Sequence, residues 1–434
     1  MEIQMGMGGS SSSSRSCSFF SVSSFLLIAV ISSQLFIDGD STTHGGDIEA
    51  LKELKQLVDP KSMSPGSCLS SWDFSVDPCD HIFSGRFTCG LRCDIVVSGL
   101  SRVTELSLDH AGYSAFLSAF TFSLPYLQIL DLSYNSFTGL IPKSLSSLAR
   151  LRRLALSSNS FSGEIPTSIG FIFSLEELIL DDNRLSGSIP STFKGLLNLK
   201  RLEIQGNQLS GEVPDLGPLK NLKFLDASNN AFSGQFPETL PESLFSISMR
   251  NNHLQGNLPE IFGNMGSLQV LDLSHNGVSG SISSALFEHP SMQQLTLSYN
   301  KFTSIHIPRN NGANSELIAV DLSNNDIQGL LPIFVAMMPK LSALSVENNK
   351  FSGRIPALYA QRAVVPAKGS SQFVRLFLGG NYLFGPIPRP LLGLKPGFAN
   401  VSLVNNCLYR CPSRLFFCHG GSQKPLKLCK SFGS

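Results

Sequence analysis

The fold is decided by the stretch Leu127-Gln128-Ile129-Leu130-Asp131-Leu132-Ser133-Tyr134-Asn135. Its spacing is Leu-x-x-Leu-x-Leu-x-x-Asn, and the chain continues as Ser136-Phe137-Thr138-Gly139-Leu140-Ile141-Pro142. The same frame returns 24 residues later, ending at Asn159, and 24 residues after that, ending at Asn183. A fixed period of this length is typical of solenoids, in which one supersecondary unit stacks on the next.

The asparagine of this frame marks the extent of the repeats. It stands at Asn135, Asn159, Asn183, Asn207, Asn230, Asn252, Asn276, Asn300, Asn325, Asn349, Asn381 and Asn406. An earlier copy begins at Val103 and has Ala111 where the asparagine would be. The sequence therefore predicts about thirteen repeats over residues 101–405.

The frame also predicts how each repeat is built. In Leu130-Asp131-Leu132 the two leucines point to one side and the aspartate to the other. Stacked repeats would therefore form a parallel sheet over a continuous leucine core. Each asparagine is expected to bond backbone groups at the turn after its strand. Gly139 is expected to permit a turn with positive φ, and Pro142 to restrict the coil that follows.

The segment after each strand carries a second pattern. It reads Ser-Gly-x-Ile-Pro over residues 162–166, 186–190 and 352–356, and it resembles the plant-specific subclass of leucine-rich repeats. The resemblance implies an α/β repeat solenoid. This would be a plant-specific leucine-rich-repeat superhelix with a parallel sheet on its concave face and disulfide-stapled caps.

Two places depart from the pattern. Residues 302–308 lack the glycine, and the interval from Asn349 to Asn381 is 32 residues rather than the usual 24. The extra residues fall within 359–372, where we expect an exposed, mobile loop at 367–371. Such an insertion is either a tolerated surface loop or an island that contacts a partner.

The N-terminal residues predict secretion. The apolar run 19–31 is shorter than the roughly 20 residues of a bilayer span and has the features of a secretory signal peptide. We predict a signal peptide over 1–40, a Cys-containing N-terminal cap over 41–100 and a Cys-containing C-terminal cap over 406–434. No transmembrane span is expected after signal cleavage. The protein is therefore expected outside the cell, in the cell wall or on the outer face of the plasma membrane.

Eight cysteines fall in the two predicted caps. They are Cys68, Cys79, Cys89 and Cys93, followed by Cys407, Cys411, Cys418 and Cys429. Behind a secretory signal, two groups of four indicate disulfides, with three connectivities open in each group. Zinc ligation is the alternative.

The N-terminal cap carries a further resemblance. An amphipathic helix is predicted over 47–58 with Asp47 as its cap, and Trp72 and Asp77-Pro78-Cys79 follow. These features look like the N-terminal cap of plant leucine-rich-repeat receptors, receptor-like proteins and polygalacturonase inhibitors. That resemblance implies a disulfide between Cys79 and Cys89, with the other two cysteines as additions.

Composition excludes several classes of function. Lys plus Arg number 33 and Asp plus Glu 32, a net charge of +1, which argues against nucleic-acid binding. The eight histidines are scattered without metal-ligand spacing, and we find no nucleophile-elbow, zinc-protease or phosphate-loop motif. We therefore expect a protein that is not an enzyme and uses no metal or cofactor.

The side chains beside the two leucines of each strand are expected on the concave face. Their charge alternates from strand to strand, and neighbouring strands lie about 4.8 Å apart, so opposite charges should touch. Repeats eight to twelve look blander and are expected to contribute less. The candidate ligand-binding residues, in repeats three to seven, are Arg152, Arg153, Glu176, Glu177, Asp181, Asp182, Lys200, Arg201, Lys223, Phe224, Phe245 and Arg250.

Two interpretations of these residues are open. One is a ladder of surface ion pairs, each worth about 0–1 kcal/mol. The other is a recognition patch in which Asp181 and Asp182 are free for a basic group of the ligand. Exposed aromatics among charges, such as Phe224 and Phe245, are typical of interfaces. The one sequon, Asn400-Val401-Ser402, predicts a glycan at Asn400.

A curved solenoid without catalytic groups is suited to binding. The resemblance implies a secreted or cell-surface recognition protein of the kinase-lacking receptor-like type, in the group that includes Too Many Mouths. It implies a peptide or protein ligand and a leucine-rich-repeat receptor kinase as partner in plant signalling. Two alternatives stay open: a polygalacturonase-inhibitor-like defence protein and a wall-associated structural repeat protein.

Overall fold

Each repeat contributes one strand to a long sheet. The computed structural model describes residues 42–430, so the predicted signal peptide lies outside the described residues. The strands in that range are β1 (Leu91–Arg92), β2 (Ile95–Val97), β3 (Leu100–Arg102), β4 (Glu105–Ser107), β5 (Ile129–Asp131), β6 (Thr138–Leu140), β7 (Arg153–Ala155), β8 (Ser160–Glu164), β9 (Glu177–Ile179), β10 (Arg184–Gly187), β11 (Arg201–Glu203), β12 (Gln208–Gly211), β13 (Phe224–Asp226), β14 (Ala231–Gly234), β15 (Ser246–Ser248), β16 (His253–Asn257), β17 (Val270–Asp272), β18 (Gly277–Ile282), β19 (Gln294–Thr296), β20 (Lys301–Ile305), β21 (Ala319–Asp321), β22 (Gln328–Leu330), β23 (Ala343–Ser345), β24 (Lys350–Gly353), β25 (Arg375–Phe377), β26 (Tyr382–Pro386), β27 (Asn400–Ser402) and β28 (Cys407–Tyr409).

Helices are short and lie between the strands or in the caps. The α-helices are α1 (Gly45–Leu57), α2 (Cys68–Ser71), α3 (Ile333–Met337), α4 (Ala357–Val364), α5 (Arg389–Leu392) and α6 (Leu426–Lys430). Single 3-10 turns cover Pro60–Ser62, Cys79–His81, Leu117–Ala119, Lys143–Ser147, Thr167–Phe171, Ser191–Gly195, Glu260–Asn264, Ser284–Leu286 and Phe416–Cys418. Among residues 42–430, none of these helices has the length and apolar character that crossing a lipid bilayer requires.

The long sheet has fourteen strands, and its order follows the chain from β4 to β27. The cap strand β1 pairs antiparallel with β4, and the thirteen strands from β4 onward are parallel. Leu130 lies opposite Leu154, which lies opposite Leu178, and all three are fully buried. The predicted fold class and the predicted parallel sheet over a leucine core are confirmed.

The asparagine of each repeat bonds the turning backbone, as predicted. At Asn183, Nδ2 donates to the carbonyls of Leu156, Leu180 and Asp181 at 2.9, 3.2 and 3.0 Å. Its Oδ1 accepts from the Phe161 N–H of the preceding repeat at 3.0 Å. One buried amide thus satisfies backbone groups of two turns at once.

The residue before each asparagine has a positive φ, which the sequence analysis missed. Tyr134, Asp182 and Asn324 have φ of 57°, 50° and 55°. The column is rich in Asn, together with Asp, His and Gly, residue types that tolerate this conformation better than most. The composition of the column was therefore an available signal.

The Ser-Gly segments form a second sheet, where the sequence analysis expected only a turn. Strands β6 to β20 make an eight-stranded part, and β22 to β28 make a four-stranded part. Gly163 does turn its strand with a φ of 74°, as expected. Pro166 then precedes a 3-10 helix rather than coil.

The second sheet is interrupted where the glycine is missing. Other repeats turn at a glycine such as Gly329, whose φ is 96°. Strand β20 has Ser304 instead and extends to Ile305, with a register shift against β18. Because β20 does not turn as its neighbours do, it does not pair with β22, and the sheet resumes one repeat later.

The N-terminal cap differs from the sequence prediction in two respects. His44, not Asp47, caps α1, by accepting from the Gly46 N–H at 3.1 Å. Asp47 lies inside the helix, where it is buried and holds Arg102 through two hydrogen bonds of 2.6 and 3.0 Å. It also accepts from the Val103 N–H at 2.9 Å. The carboxylate therefore ties the cap helix to the first repeat.

All eight cysteines of the two caps are in disulfides. The N-terminal pairs are Cys68–Cys89 and Cys79–Cys93, so the implied Cys79–Cys89 bond is wrong. The reason is that Cys89 lies beside the helix that carries Cys68, where the Trp72 Nε1–H donates to the Cys89 carbonyl at 3.0 Å. The C-terminal pairs are Cys407–Cys429 and Cys411–Cys418.

The insertion is partly a packed helix. Residues 357–364 form α4, whose Tyr359 and Arg362 are buried. Residues 367–369 and Ser371 are exposed, in agreement with the predicted loop. Half of the insertion therefore belongs to the core rather than to a surface island.

Candidate functional site

The early part of the concave face is an ion-pair network. Arg153 on β7 contacts Glu177 on β9, and its guanidinium is also 3.5 Å from the Asp131 carboxylate on β5. The register places Arg153 directly opposite Glu177. The contact between these strands was predicted, and it is present.

The neighbouring column is paired as well, with one exception to the prediction. Glu176 lies 3.9 Å from Arg152 and 2.6 Å from Lys200, so one carboxylate serves two cations. Arg201 pairs instead with Glu203 on its own strand, not with the glutamate opposite it on β9. Sequence spacing identified the charged rows but could not choose between rotamers that reach different carboxylates.

Two aromatic side chains lie next to the last charged residue of this row, Arg201. The Arg201 guanidinium lies 4.5 Å from the centre of the Phe224 ring, and the Phe245 ring packs 5.7 Å beyond it. This cation–π contact and the ion pair with Glu203 together hold the Arg201 side chain in place. Lys223 and Arg250 are exposed, and neither forms an ion pair with a residue in the range 42–430.

Asp181 is not free, which contradicts the recognition-patch interpretation for this residue. Its side chain is only 8% exposed and accepts a hydrogen bond of 2.5 Å from Ser157 Oγ. Burial raises the pKa of Asp181, the nearby charges of Glu203 and Asp182 raise it further, and the Ser157 bond opposes the shift. Asp182 is exposed and remains available to a ligand.

A polar cavity lies on the concave face between β15 and β25, mainly in repeats eight to twelve, which were expected to be bland. Its volume is about 530 Å³, within the range of ligand pockets. The charged and aromatic residues that line it are Arg250, Asp272, Tyr299, Asp321, Glu347, Arg375 and Phe377. Of the predicted ligand-binding residues only Arg250 lines this cavity. The others were not predicted because serines and threonines fill many of the same columns.

The charges of this cavity are not paired with one another. Among residues 42–430, neither Arg250 nor Arg375 forms an ion pair. Asp272 accepts from the N–H and hydroxyl of Ser274, at 3.0 and 2.6 Å, and Glu347 accepts from Ser402 Oγ at 2.8 Å. These carboxylates are held in place by neutral donors, so their charge is not cancelled locally.

Two further features are the predicted glycosylation site on the concave face and an apolar cleft at the second sheet. Asn400 is exposed on β27, in register with Arg375 on β25, so its side chain can accept a glycan. An apolar cleft of about 520 Å³ lies at the interruption of the second sheet, and Ile307, Leu330 and Ile333 line it.

Comparison with known proteins supports the fold independently. A family model described as "Leucine-rich repeat region" matches residues 111–368. An Arabidopsis thaliana leucine-rich repeat receptor-like serine/threonine-protein kinase, SKM1, is 34% identical over 106 residues, which are 24% of this chain and 10% of that protein.

Solved structures resemble a larger share of the chain. The plant peptide hormone receptor RGFR1 in complex with RGF2 is 31% identical, with a TM-score of 0.59, over 66% of this chain and 45% of that one. The ectodomain of the receptor kinase GASSHO1/SCHENGEN3 from Arabidopsis thaliana, in complex with CASPARIAN STRIP INTEGRITY FACTOR 2, is 29% identical, with a TM-score of 0.62, over 74% and 40%. A TDR receptor is 27% identical, with a TM-score of 0.63, over 75% and 58%. The chain thus spans a tenth of the curated relative and between 40% and 58% of these solved chains.

Proposed function

This chain belongs to the leucine-rich repeat proteins, and from that premise we propose that it is a recognition protein outside the cell. Its concave sheet binds a peptide or protein ligand, and a leucine-rich-repeat receptor kinase is its partner in plant signalling. In this proposal it acts as a receptor-like protein of the kinase-lacking type.

The observation that carries the proposal is the cavity between β15 and β25. A rigid sheet there presents charged groups that have no ionic partner among residues 42–430, together with the exposed ring of Tyr299. Ligand sites typically place a few convergent polar groups in a concave surface. In the early part of the face, by contrast, Arg153 pairs with Glu177 and Lys200 pairs with Glu176.

The comparisons support the class of ligand, and the caps support the location. RGFR1 is described as a plant peptide hormone receptor, and the structure that resembles this chain contains a bound RGF2. Four disulfides close the caps, and structural disulfides of this kind are typical of secreted and cell-surface proteins.

The test is affinity capture from plant membranes with the secreted chain, followed by mass spectrometry. A glycan wedge provides the decisive variant, because Gln294→Asn creates a sequon with Thr296 inside the cavity. The matched control is Lys301→Asn, which creates a sequon with Thr303 on the second sheet of the same repeat.

We expect the unmodified chain and the Lys301 variant to retain a receptor kinase or a peptide, and the Gln294 variant to lose it. Equal capture by all three proteins would contradict binding on the concave face. Capture of a polygalacturonase instead of a kinase or peptide would favour the defence alternative.

A further inference from the structure

One column of the concave face carries a regular row of carboxylates. The last residues of β13, β15, β17, β19 and β21 are in register and read Asp226, Ser248, Asp272, Thr296 and Asp321. A carboxylate therefore recurs on every second strand. With strands about 4.8 Å apart, the spacing along the row is about 9.6 Å.

The three aspartates are fixed in orientation but not neutralised. Oδ1 of Asp226 accepts from the N–H of Ser228 at 3.0 Å and from its hydroxyl at 2.6 Å, and Asp272 makes the same two bonds with its own serine. Oδ1 of Asp321 accepts from the Ser323 N–H at 2.9 Å. In the described part of the chain no lysine or arginine pairs with any of the three.

Aromatic side chains and two arginines border this row. Phe224 precedes Asp226 on β13 and packs on Phe245, while Tyr299 and Phe377 line the cavity with Asp272 and Asp321. Arg250 and Arg375 also lie at the cavity. Arg250 is two residues after Ser248, and Arg375 is two residues before Phe377, the residues that occupy the row on β15 and β25. The row of aspartates thus has aromatic rings beside it at two places, Phe224 with Phe245 near Asp226 and Tyr299 with Phe377 in the cavity.

The spacing of about 9.6 Å selects a ligand conformation. A polyproline II helix rises about 3.1 Å per residue with three residues per turn, so every third side chain points the same way at intervals of about 9.3 Å. A β-strand repeats its facing side chains every two residues, at about 6.8 Å, and does not match. Proline rings are, in addition, recognised by aromatic-lined grooves.

We propose that the cavity and the row Asp226, Asp272 and Asp321 bind an extended proline-rich peptide with lysine or arginine at every third position. The inference rests on the proposed function, because it specifies the chemistry of the ligand on that same face. The peptide runs across the strands, its cationic side chains meet the aspartates and its prolines lie on the aromatic rings.

The experiment uses the full secreted chain and three fluorescein-labelled peptides of about fifteen residues, a length of about five polyproline II turns. The first repeats Pro-Pro-Lys, the second repeats Pro-Pro-Glu, and the third has the composition of the first with its lysines grouped at one end. Binding is measured by fluorescence anisotropy. The variants are Asp272→Asn and Asp321→Asn, and the control is Asp326→Asn, which lies next to β22 and pairs with Lys350.

We expect the Pro-Pro-Lys peptide alone to bind tightly, and each of the two concave variants to weaken it about fivefold. The control should bind as the unmodified chain does, and circular dichroism establishes that every variant is folded. Equal binding of the two lysine peptides, or equal affinity of all variants, would overturn the proposal. If the membrane capture retains a ligand whose binding ignores these aspartates, this inference fails while the proposed function stands.

Discussion

Replacing Arg362 should separate the structural from the exposed part of the insertion. Its guanidinium is 1% exposed and donates to four carbonyls: those of Ala336, Met338 and Leu341 in the preceding repeat, and that of Ser371 in its own loop. The distances are between 2.6 and 2.8 Å. One side chain therefore bonds the backbone of two segments, residues 336–341 and the loop at Ser371.

The magnitude follows from these four bonds. Hydrogen bonds to a charged group contribute about 1.5–3 kcal/mol each, and the cost of burying the guanidinium offsets part of their sum. Arg362→Met has a similar apolar length but leaves all four carbonyls without this donor. We expect the free energy of unfolding to fall by about 4 kcal/mol.

The assay combines urea denaturation, followed by circular dichroism, with hydrogen exchange resolved to peptides. Because repeats interact mainly with their neighbours, protection should be lost over 333–373 and retained near Leu154. Lys368→Met, an exposed change in the same loop, is the matched control and should have little effect. A stability of Arg362→Met within about 1 kcal/mol of the unmodified chain, with unchanged protection, would refute the reasoning.

Three further changes test the concave face and the N-terminal cap. Burial raises the pKa of Asp181, so the folded state holds this proton to a higher pH than the unfolded state does. Ionisation of Asp181 therefore lowers the free energy of unfolding as pH rises from the ordinary pKa of Asp through the raised pKa. Asp181→Asn should therefore raise Tm at neutral pH, and the gain should vanish near pH 3, below the ordinary pKa of Asp. Burial raises the pKa of Tyr113 to about 12. Its hydroxyl donates to Asp109 at 2.5 Å and accepts from the Leu69 N–H at 3.0 Å. Tyr113→Phe should therefore lower the free energy of unfolding, measured by urea titration, by about 1–3 kcal/mol. Asn400→Gln should abolish the mass shift that glycosidase treatment produces in the unmodified secreted chain.

Much of the fold was predictable because it repeats. The role of Asn183 and the stacking of Leu154 on Leu178 follow from a spacing that recurs in almost every turn. Each copy of the repeat is therefore separate evidence for the same geometry. The second sheet was missed because the segment around Gly163 is short, and its strands are stabilised by neighbouring repeats rather than by a local pattern.

Single occurrences were less predictable. The pairing of Cys68 with Cys89 depends on how the α2 helix is placed against the first repeat, and no periodicity encodes that placement. The burial of Arg362 depends on where α3 ends in the preceding repeat. For the same reason the sequence could place Asp181 on the concave face but could not show that its side chain is buried and bonded to Ser157.

The contrast between the two parts of the concave face rests on which strands carry the opposite charges. Arg153 and Glu177 occupy adjacent strands, so they meet without any ligand and leave little charge to offer one. Asp272 and Asp321 are separated by Thr296, and a hydroxyl between two carboxylates cannot cancel either charge. A charged solenoid face is therefore expected to bind a charged ligand where like charges recur on alternate strands. Where unlike charges lie on neighbouring strands, they pair with one another instead. We therefore propose that the ligand site lies at β13–β25, which overlaps the predicted repeats three to seven only in repeats six and seven.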